Sequence, residues 1–176
     1  MSTEQKIRNR WIVVIGSILI QLALGTIYSW GTLTIFLSPY LGETRELTVY
    51  IFGTGLLSFA ITMIFAGKLQ QKYGPKKIAI LGAILIAIGV ISSAIMTTLV
   101  GLMITYGIIF GMGIGFGYVC PIACANKWFP DKKGLINGIA VAGFGAGAFI
   151  FNFLIRIFAA ISIPIMFVLQ IGRAHV

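Results

Sequence analysis

A stripe of polar and small side chains follows one face of the first long apolar segment. Its members recur at intervals of four, four, three and four residues, as on one helix face: Ser17, Gln21, Gly25, Tyr28 and Thr32. A hydrogen-bonding side chain is costly against lipid, so this face should point into a helical bundle or a water-filled path. Hydrogen bonding between helices and contact with a crossing solute both fit the stripe, and the spacing leaves both open.

Groups that could carry covalent or metal chemistry are sparse. Cys120 and Cys124 stand four residues apart without a histidine or carboxylate nearby, so we expect them to pack as small apolar residues. Asp131 lies among lysines in a short polar gap and should be a local charge partner. The long apolar segments contain no acid or base, which disfavours a proton relay or an intramembrane hydrolase. We therefore expect no enzyme, no metal site and no cofactor.

The composition indicates that the chain is surrounded by lipid. Of its 176 residues, 59% are hydrophobic and 10% are charged, whereas a soluble domain carries about 25% charged residues. The net charge of +9 could suggest a nucleic-acid partner. The positive residues lie in short gaps between apolar segments, however, where they are typical of membrane topology signals. We therefore predict an all-α integral membrane protein whose partner is the lipid bilayer and not nucleic acid.

The apolar segments predict five complete membrane spans and a partial sixth. One helical span needs about 20 apolar residues, and Ser38 and Pro39 should close the first. Residues 78–126 carry no charge and are too long for one span, so a turn is expected near 97–101, and Arg156 should interrupt the apolar run after the fifth span. The predicted spans are about 11–37, 48–66, 78–97, 101–125, 134–155 and the partial 161–170.

The two ends of the chain are expected to lie outside the bundle. Residues 1–10 should form a polar amino-terminal tail. Residues 171–176 match the translation of a common sequencing adapter, so we expect them to be a non-native tail on a truncated gene fragment.

The distribution of lysine and arginine predicts the orientation in the membrane. Ten basic residues should lie on one side, against Arg45 and Arg156 on the other. Because basic residues concentrate on cytoplasmic loops, we expect a multi-pass protein of the cell (plasma) membrane with a cytoplasmic amino terminus. The ten residues are Lys6, Arg8, Arg10, Lys68, Lys72, Lys76, Lys77, Lys127, Lys132 and Lys133.

Small residues are concentrated in the fourth and fifth spans, where they predict close helix packing. In the fourth span they are Gly107, Gly111, Gly113, Gly115 and Gly117. In the fifth span the residues that share one helix face are Gly138, Ala142, Gly145, Ala148 and Asn152.

Two basic gaps carry family patterns. Gly67-x-x-x-Gln71-Lys72-x-Gly74-Pro75-Lys76-Lys77 resembles the loop between the second and third spans in the major facilitator superfamily, with Gln71 where an aspartate is usual. The resemblance implies a gating role for these residues together with Asp131. Two simpler roles stay open: the lysines could only fix topology, and Gly74-Pro75 could be only a tight turn.

A more specific resemblance comes from two other stretches. Ala125-Asn126-Lys127-Trp128-Phe129-Pro130-Asp131-Lys132-Lys133-Gly134 and Gly25-Thr26-Ile27-Tyr28-Ser29-Trp30 resemble the oxalate:formate antiporter family of that superfamily. This implies a twelve-span fold of two six-helix halves, of which the chain holds the amino-terminal half without its carboxy-terminal partner. It also implies a secondary transporter that moves a small carboxylate by alternating access.

The resemblance further implies where the solute binds. Tyr28 and Tyr118 match positions at which the family sets aromatic residues against the carboxylate. Gln21 and Thr32 of the polar stripe are additional candidates, and so is Trp30, which could instead only pack against its neighbours. In the characterised antiporter an amide residue is expected just before the first-span tyrosine, where this chain has Ile27. Because that amide is missing, another small mono- or dicarboxylate fits as well as oxalate. A superfamily transporter of another solute class and a non-transporting membrane scaffold are the alternatives.

Overall fold

The structure, a computed structural model, describes residues 10–161. Five helices in this range are long and apolar enough to cross a membrane, and no β-strand occurs among the described residues. The predicted all-α membrane fold is thereby confirmed. Residues 1–9 and 162–176, which include nearly all of the predicted partial sixth span and the tail that we expect to be non-native, lie outside the described residues. The helices are α1 Trp11–Leu41, α2 Arg45–Tyr73, α3 Pro75–Ser93, α4 Leu99–Trp128 and α5 Lys133–Ile161.

The first helix is longer than predicted and is irregular at its centre. Its α-helical parts are joined by a 3₁₀ segment at Gly25–Ser29. The helix passes through Ser38 and Pro39 and ends where Gly42 adopts a φ of 65°. Glu43 N–H donates to the Ser38 carbonyl at 3.1 Å, which completes a Schellman cap. The end is therefore set by this glycine cap and not by the serine and proline before it.

The basic loop expected at residues 67–77, between the second and third spans, is instead a single residue, Gly74. The α2 helix continues through the lysines to Tyr73, because lysine, leucine and glutamine are good helix formers outside the membrane too. Gly74 ends it with a φ of 87° and ψ of 150°, a conformation essentially restricted to glycine. Pro75 then occupies the first position of α3, where its missing N–H costs nothing.

The other helix ends also differ from those expected from hydropathy. The α3 helix ends at Ser93, and α4 begins at Leu99 after Thr98, whose hydroxyl oxygen accepts a hydrogen bond from Gly101 N–H at 3.1 Å. The α5 helix continues through Arg156, so the predicted interruption there is wrong. Arginine has a high helix propensity, and one charge does not break a helix whose apolar residues continue on both sides.

Helix α4 is the centre of the bundle and packs against α1, α2 and α3 through its glycines. A Cβ atom on Gly111 would lie 2.6 Å from the Gly55 carbonyl oxygen of α2, and one on Gly115 would lie 2.7 Å from the Thr62 Cβ. On another face, a Cβ on Gly113 would lie 2.7 Å from the Ile86 backbone nitrogen of α3. The predicted packing role of these glycines is confirmed, because no side chain fits between the backbones.

Part of the packing face predicted for the fifth span has no helix partner among the described residues. Gly138, Ala142 and Gly145 are exposed. The buried face lies beside them and is formed by Ile136, Ala140, Gly143, Phe144 and Gly147. Gly147 explains why this face packs on α1, since a Cβ there would overlap the Leu22 carbonyl of α1. Two members of the predicted face do reach α1: Asn152 accepts a hydrogen bond from Thr32, and the Ala148 carbonyl accepts one from Ser29.

Replacing Gly115 by alanine should destabilise the bundle, because the new methyl group would meet the α2 backbone and Thr62. The expected loss is about 1–3 kcal/mol of unfolding free energy, as for other overpacked cores. Gly145→Ala is the matched control, since a Cβ at Gly145 meets nothing within 4 Å. Unfolding of the complete protein in mixed micelles measures both variants, and equal stability of the two would contradict this account of the packing.

Candidate functional site

Five aromatic rings from four helices form a cluster at the middle of the bundle. At its centre, the Phe144 ring lies with its centroid 5.2 Å from that of Tyr28 and 5.0 Å from that of Tyr118. Both contacts are edge-to-face, with interplanar angles of 76° and 70°, the arrangement that aromatic quadrupoles favour. Phe52 and Phe59 of α2 complete what we call the aromatic cluster. The two predicted tyrosines are thus brought together through a shared phenylalanine.

Tyr28 is placed by the irregular centre of α1. It lies in the 3₁₀ segment, three residues after Gly25, whose absent side chain lets α1 touch the α5 backbone at Phe144. The same approach sets the Tyr28 ring against the Phe144 ring. Tyr28 keeps 44% of its surface exposed, although the residues on either side of it are largely buried. Its phenol is therefore held by the cluster and remains accessible.

Tyr118 is placed by the same local pattern on the other side of the cluster. It follows Gly115 by three residues, and a Cβ on that glycine would lie 2.9 Å from the Phe59 carbonyl oxygen of α2. The Tyr118 ring packs on the Phe59 ring at 5.4 Å between centroids and stays half-buried. Within residues 10–161, the hydroxyls of Tyr28 and Tyr118 form no hydrogen bond to the protein. Both can donate one to a solute.

Gln21 is buried between helices and does not face an open path. Its exposed fraction is 0%, and its Nε2 donates to the Tyr118 carbonyl oxygen at 3.2 Å. Its Oε1 is buried without a hydrogen-bond partner in the described part of the chain. The stripe on the first span thus faces the bundle interior at this level, and direct contact of Gln21 with solute stays a prediction.

Thr32 and Trp30 also lie in helix contacts. The Thr32 hydroxyl donates to Asn152 Oδ1 at 2.7 Å and ties α1 to α5. The Trp30 ring is 5% exposed and packs between Phe52 and Tyr106. Only the two tyrosines among the five predicted solute-binding residues present an accessible side chain in this structure. A role for the other three in solute binding stays a prediction.

The residues predicted to gate the transporter lie at helix ends. We call the end of the bundle at which α2 meets α3 and α4 meets α5 the basic side. Gly67 and Lys72 belong to the last turns of α2, and Gly74, Pro75, Lys76 and Lys77 form the junction and the first turn of α3. Asp131 is exposed in the turn between α4 and α5. The two helices beside that turn are joined by a hydrogen bond, which the Asn126 amide of α4 donates to Asn137 Oδ1 of α5 at 2.8 Å. A gating role for these residues stays a prediction.

The three phenylalanines of the aromatic cluster were not predicted from the sequence. The chain has 13 phenylalanines, and one within an apolar span resembles any other packing residue. Phe144 could have been singled out only through its neighbours, because it is flanked on its helix by Gly143 and Gly145. Its central place depends on the fit of α5 against α1, which spacing along one helix does not reveal.

Comparison with known proteins agrees with this architecture. The profile of the Major Facilitator Superfamily matches residues 6–172, nearly the whole chain. The chain belongs to this superfamily. The resemblance to this superfamily noted in the sequence is confirmed. The relatives reported below are transporters and not enzymes.

Several curated relatives of this superfamily chain are similar over most of its length. The MFS-type transporter YhjX of Escherichia coli (strain K12) is 35% identical over 147 residues, which cover 84% of this chain and 37% of the relative. Apicoplast pyruvate carrier 1 of Toxoplasma gondii is 29% identical, covering 85% of this chain and 35% of the carrier. The oxalate:formate antiporter of Oxalobacter formigenes is 28% identical, covering 79% of this chain and 33% of the antiporter. The chain therefore spans about a third of the length of these relatives.

Replacing Phe144 by alanine should disturb both tyrosines at once, because its ring is the shared contact of the cluster. The side chain is 5% exposed, so we expect a loss of about 3–5 kcal/mol of unfolding free energy. Phe149→Ala on the same helix is the control, since Phe149 is 78% exposed. The two variants are compared by unfolding in mixed micelles and by tyrosine fluorescence, and a Phe144 variant as stable as the Phe149 variant would argue against the cluster.

Proposed function

We propose that the complete protein containing this chain is a secondary transporter that moves a small carboxylate across the plasma membrane by alternating access. The observation that carries the proposal is the pair of accessible tyrosines packed on Phe144. The relatives support it, because they include a pyruvate carrier and an oxalate:formate antiporter, and further relatives are named as monocarboxylate transporters.

The chemistry of the cluster suits a small anion. Phenol hydroxyls donate hydrogen bonds, and the edges of aromatic rings carry partial positive charge, so both can face carboxylate oxygens. The two tyrosines lie on different helices, α1 and α4, and both contact one central ring. A short mono- or dicarboxylate could therefore receive a hydrogen bond from either phenol. Oxalate, formate and pyruvate all meet these requirements.

The aromatic cluster offers hydrogen-bond donors, and none of the described side chains packed with it is basic. The lysines of the described range lie at the basic side, in the last turns of α2 and α4 and the first turns of α3 and α5. An anion inside a membrane needs a compensating charge. We infer that the carboxy-terminal half of the transporter provides the cation, across a cavity that both halves share. That half is the principal partner of this chain, beside the solute and the bilayer.

The close glycine contacts support alternating access by rigid movement. Helix α4 meets α2 and α3, and α1 meets α5, through backbone contacts that leave no space for a side chain. Such a bundle resists deformation and can rock as a unit against another bundle. The tyrosines would then keep their arrangement while the cavity opens to either side.

Replacing either Tyr28 or Tyr118 by phenylalanine should weaken carboxylate transport without unfolding the protein, because only a hydroxyl is removed. Each variant should raise the half-saturation concentration by about threefold to tenfold, the effect of one hydrogen bond. Tyr50→Phe is the control, because Tyr50 lies on α2 and is 62% exposed outside the cluster.

The measurement is uptake or exchange of radiolabelled formate, oxalate and pyruvate by the complete protein in liposomes. Tyrosine variants that transport as well as the control would remove the cluster from the solute site. Absence of any carboxylate transport, with uptake of a sugar or drug, would assign the protein to another solute class.

We also propose that the basic side faces the cytoplasm. In a protein whose Cys120 and Cys124 are replaced by alanine, a membrane-impermeant maleimide added to intact cells should label Glu43→Cys. It should label Lys76→Cys only after permeabilisation, because the basic side would be inside. The reverse labelling pattern would invert the topology.

A further inference from the structure

Helix α4 has a weak point in the turn that carries Tyr118. Pro121 lies inside this helix, and proline has no N–H to donate. The carbonyl of Gly117, four residues earlier, therefore lacks the hydrogen bond that continues an α-helix. Tyr118 stands within this interrupted turn, so the hydrogen bonding of its own helix fixes its position less firmly.

Two side chains from α1 reach across to this turn. Gln21 Nε2 donates to the Tyr118 carbonyl oxygen at 3.2 Å. Ser17 Oγ lies 3.2 Å from the Pro121 carbonyl oxygen and shares its single proton between that oxygen and the Val13 carbonyl of its own helix at 2.8 Å, so the Gln21 hydrogen bond is the firmer of the two. The contacts are one helical turn apart on α1 and span the interrupted turn of α4. Both side chains are buried, with exposed fractions of 0% for Gln21 and 5% for Ser17. Helix α1 thus braces α4 where Pro121 weakens it.

The Oε1 atom of Gln21, which has no hydrogen-bond partner among the described residues, supports a bracing role for the hydrogen bond from Nε2. A buried carbonyl oxygen without a donor is unfavourable, and an apolar side chain of similar size would avoid that cost. What an apolar side chain cannot supply is the N–H that reaches Tyr118. The hydrogen bond to the Tyr118 backbone is therefore the contribution that the glutamine makes at this position.

Direct contact between Gln21 and solute is disfavoured by its burial. The side chain is enclosed by its own helix, by α4 and by α5, where a Cβ on Gly143 would lie 3.7 Å from the Gln21 Cβ. With an exposed fraction of 0%, the amide presents no surface to a cavity. Any effect of Gln21 on solute binding must pass through a residue that it contacts.

We propose that Gln21 is a positioning residue for Tyr118. Its hydrogen bond holds the backbone of the proline-weakened turn, so that the Tyr118 ring stays against Phe144 and Phe59 and its hydroxyl meets the solute. The effect on the solute rests on the proposed function, whereas the effect on the Tyr118 ring does not.

The first test reads the position of Tyr118 without any solute. In the complete protein, 3-fluorotyrosine is introduced at position 118 and followed by ¹⁹F NMR in nanodiscs. Gln21→Leu should shift or broaden the resonance, and Gln21→Asn should do the same because its amide is one methylene too short. Ser29→Ala is the matched control, since it removes another hydrogen bond from α1, to the Ala148 carbonyl of α5. An unchanged resonance in both Gln21 variants overturns the proposal.

The second test asks whether Gln21 acts through the tyrosine. Gln21→Leu should raise the half-saturation concentration for carboxylate by about threefold to tenfold, the effect of one hydrogen bond. In a Tyr118→Phe background it should add little, because the hydroxyl that it positions is gone. Fully additive effects would mean that Gln21 acts elsewhere, which overturns the proposal.

Failure of the proposed function gives a different result. If no carboxylate is transported or bound, but the ¹⁹F resonance responds to the Gln21 variants and not to Ser29→Ala, the positioning role stands. The carboxylate assignment is then what fails.

Discussion

Close backbone contact at glycine is the interaction on which the rest of the structure depends. Lipid tails are as apolar as leucine, so helices in a membrane gain little by hiding leucine from them and associate instead through close packing and hydrogen bonds. In this bundle α4 meets α2 at Gly115 and α3 at Gly113, while α1 meets α5 at Gly25. Each contact sets a helix spacing that one methyl group would change. The positions of the aromatic rings follow from these spacings.

The aromatic cluster takes its geometry from a repeated use of that contact. On α1 and again on α4, a glycine touches the backbone of a neighbouring helix at a phenylalanine, and a tyrosine three residues later packs on that ring. Such internal repetition is typical of transporter halves built from inverted repeats. The two helices that carry Tyr28 and Tyr118 are also irregular. Helix α1 contains the 3₁₀ segment, and α4 contains a π-helical segment at Met103–Phe110 as well as Pro121. Irregular backbone can persist at that depth because it is enclosed by protein.

Sequence periodicity predicted what depends on one helix and failed where two helices decide. It placed the Ser17–Thr32 stripe toward the bundle and found the glycines of α4, because burial on one face has a helical period. It misjudged the loop at Gly74, because hydropathy marks the membrane-buried part of a helix and not its last hydrogen-bonded turn. It did not find the face of α5 that packs on α1, because small residues lie on both faces and only the fit of Gly147 against α1 selects one. Phe144 was missed for the same reason.

If the aromatic cluster binds the solute as proposed, its phenols and ring edges have a consequence for transport. A fixed cation beside the anion would bind it in every conformation, whereas neutral donors bind it strongly only when a charge is brought close. If the compensating cation lies on the other half, strong binding requires the two halves to meet around the solute. Movement of the halves then changes the affinity as well as the access. The rigid glycine-packed bundle suits this arrangement, because it carries both tyrosines toward or away from that charge without altering the distance between them.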